Sequence, residues 1–508
     1  MSELELKLIV AADDIAKAQS ALSAMAGRPR AGRSTLTSTY YDTPERTLRR
    51  NELELRVRRQ GRHFIQTVKE SAAAGDQLLM RGEWEDRIRG AAPDLAAPES
   101  GSHLVPALDP ATLRPLFTTV VQRTRFELSP KPGTHIEVAI DRGEIRASDS
   151  ATTAPIHEVE LELKAGDPVV VWDVALRLLE IVPFRIGTAS KSDRGFRMVG
   201  GEGEKPHAVY ARPIRLKRRM TLDAALQKMG QLSLAMLLRN EDAALEHDPA
   251  AIHQMRIAVR RLRAVLSAMK PLLPEEHFRW ANGELKWVGQ GLAPARNWDV
   301  FAESLLEPVA AALDEDRELD RLAVGVERQR RNAYARARET ILSQRYTASL
   351  LRLARWFEAR GWRDQPVTED SALLVAPAGK VAPDLLERLH RKARKRSKHF
   401  VVLAPPERHK LRIALKKLRY AVEFLESLFN ERRVRRFVRA VRPLQDDLGH
   451  ANDVRTAPAL IADLRNGDGV ALERAGGIVL GWHDRGLAEA EAVTLRHVRR
   501  FRKRRAFW

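Results

Sequence analysis

The sequence contains no cysteine among its 508 residues. This absence excludes disulfide bonds, thiolate metal sites and a cysteine nucleophile. It suits a reducing compartment, so we expect a cytoplasmic protein. Apolar runs are also short, since the stretch 168–184 is interrupted by Asp173, Arg177 and Glu180. None reaches the roughly 18–20 residues that a membrane span needs, and we expect neither a secretory leader nor a membrane partner.

Two further features are scarce or absent. No glycine-rich phosphate loop of the Walker type occurs, which leaves a P-loop nucleoside triphosphatase unsupported. Aromatic residues make up only 6% of the chain and do not alternate with its basic residues, so base stacking is poorly provided for. Nucleic acid is therefore a disfavoured partner.

Positive charge is abundant but unevenly distributed. The formal net charge is +20, yet residues 1–200 hold 28 basic and 28 acidic side chains. All the excess therefore lies in 201–508, where it would attract polyanions such as nucleic acid, anionic lipid or polyphosphate. A chain of this length is expected to form two or three domains, and the charge predicts that they differ electrostatically.

The N-terminal segment has the alternation of a β-strand. Glu3, Glu5 and Lys7 share one face, and leucines alternate with them on the other. The same pattern of charged and apolar residues recurs at 52–58, 81–87 and 158–164. A charged strand face can be buried only where its charges pair with one another or hold a metal ion or an anion. A closed antiparallel barrel with a charged interior is one such arrangement, and a solvated sheet edge is the simpler alternative.

The motif Glu3-Leu4-Glu5-Leu6-Lys7 resembles the N-terminal signature of the CYTH, or triphosphate tunnel metalloenzyme, family. The resemblance implies a barrel that hydrolyses inorganic triphosphate with Mg²⁺ or Mn²⁺. Such chemistry requires cationic donors for phosphate oxygens and carboxylates for a hard divalent cation.

The same resemblance implies the site residues. The expected metal ligands are Glu3, Glu5, Asp141, Glu158 and Glu160. The expected substrate-binding cations are Lys7, Arg56, Arg58, Lys69, Arg123, Arg125 and Lys191, and Lys7 and Glu160 are also expected to be catalytic. Two assignments remain open, because Glu162 alternates with Glu158 and Glu160, and Arg123 competes with Arg125 for one role.

Beyond a Gly- and Pro-rich segment at 201–213 the apolar period becomes helical, and this half contains a repeat. The segment 253–263 matches 409–419 at an offset of 156 residues, and Pro249 and Pro405 obey the same offset. The segments 296–300 and 451–454 echo each other at an offset of 154. Two duplicated helical bundles account for this, and the arrangement resembles the CHAD domain, which often follows a CYTH domain in bacteria.

Each repeat carries a basic stripe along one side of a predicted helix. The stripes consist of His253, Arg256, Arg260 and Arg263 in the first copy and of His409, Arg412, Lys416 and Arg419 in the second. A single stripe is typical of a solvated face, but the CHAD resemblance implies that both bind inorganic polyphosphate. Metal chelation by the two histidines with Asp299 and Asp453 is the competing hypothesis.

The sequence thus predicts an α+β protein with a closed antiparallel barrel at 1–200, a linker at 201–213 and an all-α domain at 214–508. The predicted function is metal-dependent triphosphate hydrolysis joined to polyphosphate binding, and polyphosphate granules are an expected site of association. The alternatives are an adenylate cyclase or thiamine triphosphatase of the same family, or a non-catalytic adaptor for polyphosphate or nucleic acid.

Overall fold

A computed structural model describes most of the chain. The described residues are 4–26, 32–70, 83–104, 108–200, 205–313, 316–468 and 473–508. Glu3 lies outside them. The chain divides into two compact units, Met1–Pro206 with Gln344–Ala359, and His207–Ser343 with Arg360–Trp508. We call them the sheet unit and the helical unit.

The sheet unit is built on nine antiparallel strands in the order β5-β4-β3-β2-β6-β7-β8-β1-β9. The strands are β1 (Leu4–Val10), β2 (Gly32–Asp42), β3 (Leu53–Gln60), β4 (His63–Glu70), β5 (Glu83–Ile88), β6 (Arg114–Leu128), β7 (His135–Ala147), β8 (Thr153–Ala165) and β9 (Phe184–Gly187). The turn between β3 and β4 contains Gly61 at a φ of 61°, which favours glycine.

Helices, numbered along the whole chain, complete this unit. They are α1 (Ile15–Met25), α2 (Thr47–Arg50), α3 (Val169–Leu179), α4 (Lys191–Val199) and α12 (Gln344–Glu358). The helix α12 belongs here although it comes from the middle of the helical half of the sequence. Its Gln344 donates to the carbonyl of Leu179 at 2.5 Å, and its Thr347 donates to that of Phe184 at 3.2 Å.

The sheet has two chemically different faces, as the alternation predicts. Leu6 and Leu8 are buried on one face, as is Leu161 on the paired strand β8. The opposite face carries Lys7 of β1 and Glu160 of β8, which are register partners. Charge is therefore concentrated on one side of the sheet.

The predicted closure into a barrel is wrong for the described residues. β5 pairs with β4 and β9 pairs with β1, but no ladder joins β5 to β9. Both edge strands are short, at six and four residues. Helix α4, which packs against β6, β7 and β8, covers part of the charged face instead.

The position of α4 is fixed at both ends. Ser190 and Asp193 form a capping box at its start, so that Lys191 is its first residue. Near its end Phe196 packs edge-on against Phe117 at 5.2 Å between ring centroids. A Cβ at Gly195 would lie 2.1 Å from the Phe117 ring, so this close approach requires glycine.

The helical unit contains no strand among its described residues, and its β pairing there is limited to the bridge between Thr221 and Pro377. Its helices are α5 (Leu222–Arg239), α6 (Glu241–Leu245), α7 (Pro249–Met269), α8 (Glu275–Gly291), α9 (Ala293–Val300), α10 (Glu307–Ala312), α11 (Arg317–Leu342), α13 (Glu369–Ala372), α14 (Ala378–Arg396), α15 (Pro405–Leu425), α16 (Glu431–Asp468) and α17 (Glu473–Lys503). The all-helical prediction is therefore confirmed for this unit.

The sequence repeat corresponds to α7 and α15. Both helices have 21 residues, both start with the repeated proline, and each is followed by a short 3-10 helix, at 270–272 and 426–428. The offset of 156 residues holds at every one of these boundaries. Met255 and Leu262, on the side of α7 away from the stripe, are fully buried.

Candidate functional sites

Three carboxylates meet on the charged face of the sheet. Asp141, Glu158 and Glu160 each offer an oxygen within 4.8 Å of the others. They come together because Asp141 of β7 is the register partner of Glu158 on β8, and Glu160 lies two residues further on the same face. Asp141 and Glu158 are fully buried. A set of clustered carboxylate oxygens suits a hard divalent cation.

Cationic side chains surround these carboxylates. The Lys191 ammonium lies 2.9 Å from Asp141, 2.7 Å from Glu158 and 2.8 Å from Glu160. Arg123 donates to Asp141 through two nitrogens, at 2.7 and 2.6 Å, and to Glu160 at 2.6 Å. The site therefore holds both positive and negative side chains away from bulk water. Charges in such a position must be closely paired, because each would otherwise be left without compensation for its lost hydration.

The pairing determines the protonation states. Burial of Glu160 opposes its ionisation, but the charges of Lys191 and Arg123 outweigh burial and lower its pKa. Burial likewise opposes ionisation of Asp141, and its bonds from Arg123 and the charge of Lys191 nevertheless lower its pKa. Both groups are consequently carboxylates near neutral pH.

Lys7 and Glu5 approach the cluster from β1. The Lys7 ammonium lies 3.8 Å from Glu160. Glu5 is the more exposed of the two and is not one of the three clustered carboxylates. Desolvation and the neighbouring Glu160 carboxylate raise the pKa of Glu5. Glu162, the third alternating carboxylate of β8, pairs with Lys164.

The remaining predicted cations lie on β3, β4 and β6. Arg56 and Lys69 contact Glu83 of β5, at 3.3 and 2.6 Å. Arg125 contacts Glu137 at 3.4 Å and is nearly half exposed. The structure thus places Arg123, and not Arg125, beside the carboxylate cluster.

Arg58 is different from these cations. Its Nε donates to the Ser38 hydroxyl at 3.2 Å. Burial, followed by the charge of Arg56, lowers its pKa to about 10, and Arg123 contributes in the same direction. A buried guanidinium next to like charges is a favourable position for an anionic ligand.

The sequence reasoning missed Arg194. This arginine donates to Glu158 at 2.6 Å. It lies three residues after Lys191 on α4, and residues at this spacing share a helix face. The Lys191-x-x-Arg194 spacing was the available signal.

The basic stripes of the helical unit form one site. α7 and α15 pack against each other. Arg261 bonds Glu423 at 2.7 Å, and Lys417 bonds Ser267 at 3.2 Å. Because Arg261 corresponds to Lys417 and Ser267 to Glu423 at the 156-residue offset, this is one contact made twice, as across an isologous interface. A pseudo-twofold axis therefore relates the two stripes.

Several stripe donors lack partners. The buried nitrogens without a hydrogen-bond partner among the described residues include His253 Nδ1 and the Nε atoms of Arg256, Arg260 and Arg412, whereas Arg419 Nε lies 3.3 Å from the Glu423 carboxylate. Orphaned buried donors are uncommon in folded proteins and call for an explanation. Their convergence on one surface fits a polyanionic ligand.

Burial and mutual repulsion set the charge of this site. Burial, then Arg296, lowers the pKa of His253 to about 4. Burial, then Arg260, lowers the pKa of Arg256 to about 10. Arg296 of α9 was not among the predicted residues, although it is the first residue of the repeated segment 296–300.

Other atoms of the stripe residues do have protein partners. Arg263 donates to Asn282 at 3.0 Å, and the His409 ring contacts Asn452 at 2.7 Å. Arg412 lies 3.8 Å from Asp453. The alternative of metal chelation finds no support in the described residues, because Asp299 instead accepts hydrogen bonds from Arg330 and Tyr334.

The fold and sites define a two-unit protein, with a mixed carboxylate and cation site on an antiparallel sheet and a duplicated helical unit with a basic surface. Residues 1–196 match the CYTH domain family, and residues 228–462 match the CHAD domain family. The chain therefore belongs to the proteins that carry a CYTH domain followed by a CHAD domain. No helix within the described ranges combines the length and apolarity needed to cross a membrane.

Individual relatives match parts of the chain. An inorganic triphosphatase of Haemophilus influenzae is 32% identical over 165 residues, which is 32% of this chain and 45% of that protein. An uncharacterised protein of Mycobacterium tuberculosis is 25% identical over 430 residues, covering 77% of this chain and 78% of its own length. The crystal structure of the CHAD domain of Ricinus communis has a TM-score of 0.51 and 28% identity, covering 59% of this chain and 97% of that one.

Proposed function

We propose that the sheet unit hydrolyses inorganic triphosphate to pyrophosphate and phosphate with a divalent cation, Mg²⁺ or Mn²⁺. The observation that carries the proposal is the carboxylate cluster of Asp141, Glu158 and Glu160, with the half-buried Arg123 bonded to two of its members. The Haemophilus influenzae relative, named an inorganic triphosphatase, supports the same reaction.

The residues present fit a divalent cation. Asp141, Glu158 and Glu160 would hold it, and Glu5, whose carboxylate interacts with that of Glu160, would be a further oxygen donor. A bound cation would neutralise phosphate charge and orient the attacking water. Because the lowered pKa of Glu160 keeps it ionised, this group suits a ligand role better than that of a proton donor.

Cations on the same face would grip the substrate. Arg58, Arg56 and Lys69 lie on the adjacent strands β3 and β4 and would contact consecutive phosphate groups. Arg123 on β6 lies between them and the carboxylate strands β7 and β8 in the strand order, and Lys7 contacts Glu160 from β1 on the other side. Their charges would stabilise a leaving pyrophosphate, since positioning and electrostatics supply most of the catalysis in phosphoryl transfer.

The rival functions differ in what they require. A non-catalytic anion binder needs the cations but has no use for three clustered carboxylates, and the cluster therefore favours a hydrolase. Adenylate cyclase and thiamine triphosphatase would use the same charged groups. The choice among these enzymes depends on the substrate.

Phosphate release tests the proposal. The full-length protein is assayed with inorganic triphosphate, ATP and thiamine triphosphate, each with Mg²⁺, with Mn²⁺ and with EDTA. We expect the highest kcat/KM for inorganic triphosphate and no turnover with EDTA. Preference for ATP with release of pyrophosphate and cyclic AMP would instead identify a cyclase.

We further propose that the helical unit binds inorganic polyphosphate across α7 and α15. The supporting observation is the set of buried, unpartnered donors on both helices. A linear polyphosphate chain is identical in both directions, which suits a site with pseudo-twofold symmetry, whereas a nucleic acid strand is directional. A titration with long polyphosphate, with single-stranded RNA of matched length as competitor, tests this. Displacement by RNA at equal phosphate concentration would overturn it.

A further inference from the structure

A second basic feature of the helical unit lies on a different side of α15. It is a cavity of about 260 Å³ between α7, α14 and α15. Its α15 wall includes Lys410, Ile413 and Lys417, each one position after a stripe residue. Successive helix residues are about 100° apart around the axis, so the cavity and the basic stripe occupy separate faces.

Four cations line this cavity, namely Lys392, Arg396, Lys410 and Lys417, and the described residues around it include no carboxylate. Arg396 is held in place by donating to the carbonyl of Lys410 at 2.7 Å. Burial, followed by the charges of Lys392, Arg263 and Arg396, lowers the pKa of Lys417. Such unbalanced charge favours a bound anion.

The repeat offers an internal comparison. The counterpart of Lys417 is Arg261, which bonds the Glu423 carboxylate at 2.7 Å. The counterpart of Glu423 is Ser267, so Lys417 meets a hydroxyl at 3.2 Å where Arg261 meets a carboxylate. The counterpart of Lys410 is the neutral Gln254. The same helix pairing thus forms without this concentration of positive charge, so packing alone does not require it.

Apart from the four cations and Ser267, the lining is apolar. Leu389 of α14 and Ile413 of α15 contribute side chains to the wall. Ile413 is 38% exposed, which is unusual for a residue in the middle of a long helix that packs on three others. A simple inorganic anion would leave this apolar surface uncovered.

We propose that the cavity binds a small organic phosphate monoester that carries a short aliphatic group. The phosphate would lie among the four cations and accept a hydrogen bond from the Ser267 hydroxyl. The aliphatic group would cover Ile413 and Leu389. The volume is just below the usual range of about 300–1,000 Å³ for small-molecule pockets, which limits the ligand to a small molecule.

Calorimetric titration of the full-length protein tests the proposal, with hexyl phosphate, inorganic phosphate and hexanol as probes. We expect hexyl phosphate to bind at least about five-fold more tightly than inorganic phosphate, because burial of its aliphatic carbons adds to the electrostatic attraction between the phosphate and the cations. Lys417→Met and Lys392→Met should each weaken the binding of hexyl phosphate about ten-fold. Lys392 is exposed, so its substitution does not endanger the fold.

Two further variants separate the contributions. Ile413→Asn should weaken the binding of hexyl phosphate and leave the binding of inorganic phosphate unchanged. Lys395 is an exposed lysine of α14 outside the cavity, and Lys395→Met should change the affinity for neither ligand. Equal affinity for hexyl phosphate and inorganic phosphate, or insensitivity to Lys417→Met and Lys392→Met, would overturn the proposal. So would displacement of hexyl phosphate by polyphosphate in an Arg256→Met/Arg260→Met variant, since the cavity would then belong to a polyphosphate site.

Discussion

Arg260 and Lys416 occupy the same position in the two repeats, and each lies in the electrostatic field of the other near the pseudo-twofold axis. A duplication that packs its copies face to face necessarily brings equivalent residues together at the axis. Here both residues are cationic, so the repeat concentrates like charge at its centre. The basic site is therefore shared by the two halves.

The first prediction concerns pH. Burial, then Arg412 and Arg260, lowers the pKa of Lys416 to about 7, with Asp453 opposing. Above this pH the free site holds a neutral lysine, whereas a bound polyanion favours the ammonium form. Binding then takes up a proton, so polyphosphate affinity should fall as pH rises from 7 to 9, by at most about ten-fold per pH unit. His253, with a pKa of about 4, stays neutral throughout.

The measurement is the dissociation constant of long polyphosphate between pH 6 and pH 9. Lys416→Arg is the control, because arginine keeps its charge over this range. The variant should bind with little pH dependence. An identical pH profile for both proteins would assign the effect to another group.

The second prediction concerns the shared nature of the site. Arg260 lies at the axis and influences residues of both repeats, including Arg256 and Lys416. Arg260→Met should weaken polyphosphate binding roughly ten- to a hundred-fold, as expected for loss of one charge-assisted contact. Arg338→Met, at an exposed position of α11, serves as the control for net charge. Equal losses in both variants would indicate nonspecific attraction.

The third prediction concerns Lys191. Its ammonium contacts all three clustered carboxylates, so it competes with a divalent cation for them. Lys191→Met should lose about 3–5 kcal/mol of stability, because buried carboxylates lose their partner. Mn²⁺ should restore much of this loss, raising the unfolding temperature of the variant more than that of the unmodified protein. Equal Mn²⁺ stabilisation in thermal unfolding would contradict a metal site at the cluster.

The fourth prediction concerns the packing of α4. Gly195→Ala would place a Cβ 2.1 Å from Phe117, and such overpacking costs about 1–3 kcal/mol. Since α4 carries Lys191 and Arg194, triphosphate turnover should fall together with stability. Gly283→Ala, where nothing lies within 4 Å, should retain both. Full activity of Gly195→Ala would show that the site tolerates movement of α4.

Local patterns made much of this structure predictable. The alternation of Glu158 and Glu160 placed both side chains on one sheet face, and the 156-residue offset located α7 and α15. Both are regularities of period or repetition within the chain. The grouping of Asp141 with these glutamates came from family resemblance, and strand register explains it physically.

Other features depend on tertiary packing that periodicity does not encode. Arg260 and Lys416 come near each other because of how α7 and α15 pair. The difference between Ser267 and its counterpart Glu423 has a consequence only across the same pairing, where each residue contacts a cation of the other helix. The inclusion of α12 in the sheet unit depends on contacts with α3 far away in the sequence. The predicted closure of the sheet into a barrel was wrong for the described residues. The alternation of charged residues indicates that one face is buried, but it does not specify whether another strand or a helix such as α4 covers that face.

The most direct test compares triphosphate turnover by the unmodified protein and Asp141→Asn at saturating Mg²⁺. Asp141 is fully buried in the carboxylate cluster, and the amide keeps its shape while removing its charge. Asp167→Asn, at an exposed turn, is the matched control. The account predicts that kcat falls at least about a hundred-fold in Asp141→Asn and is unchanged in Asp167→Asn. Turnover by a folded Asp141→Asn variant equal to that of the unmodified protein would contradict the assignment of this cluster as the catalytic metal site.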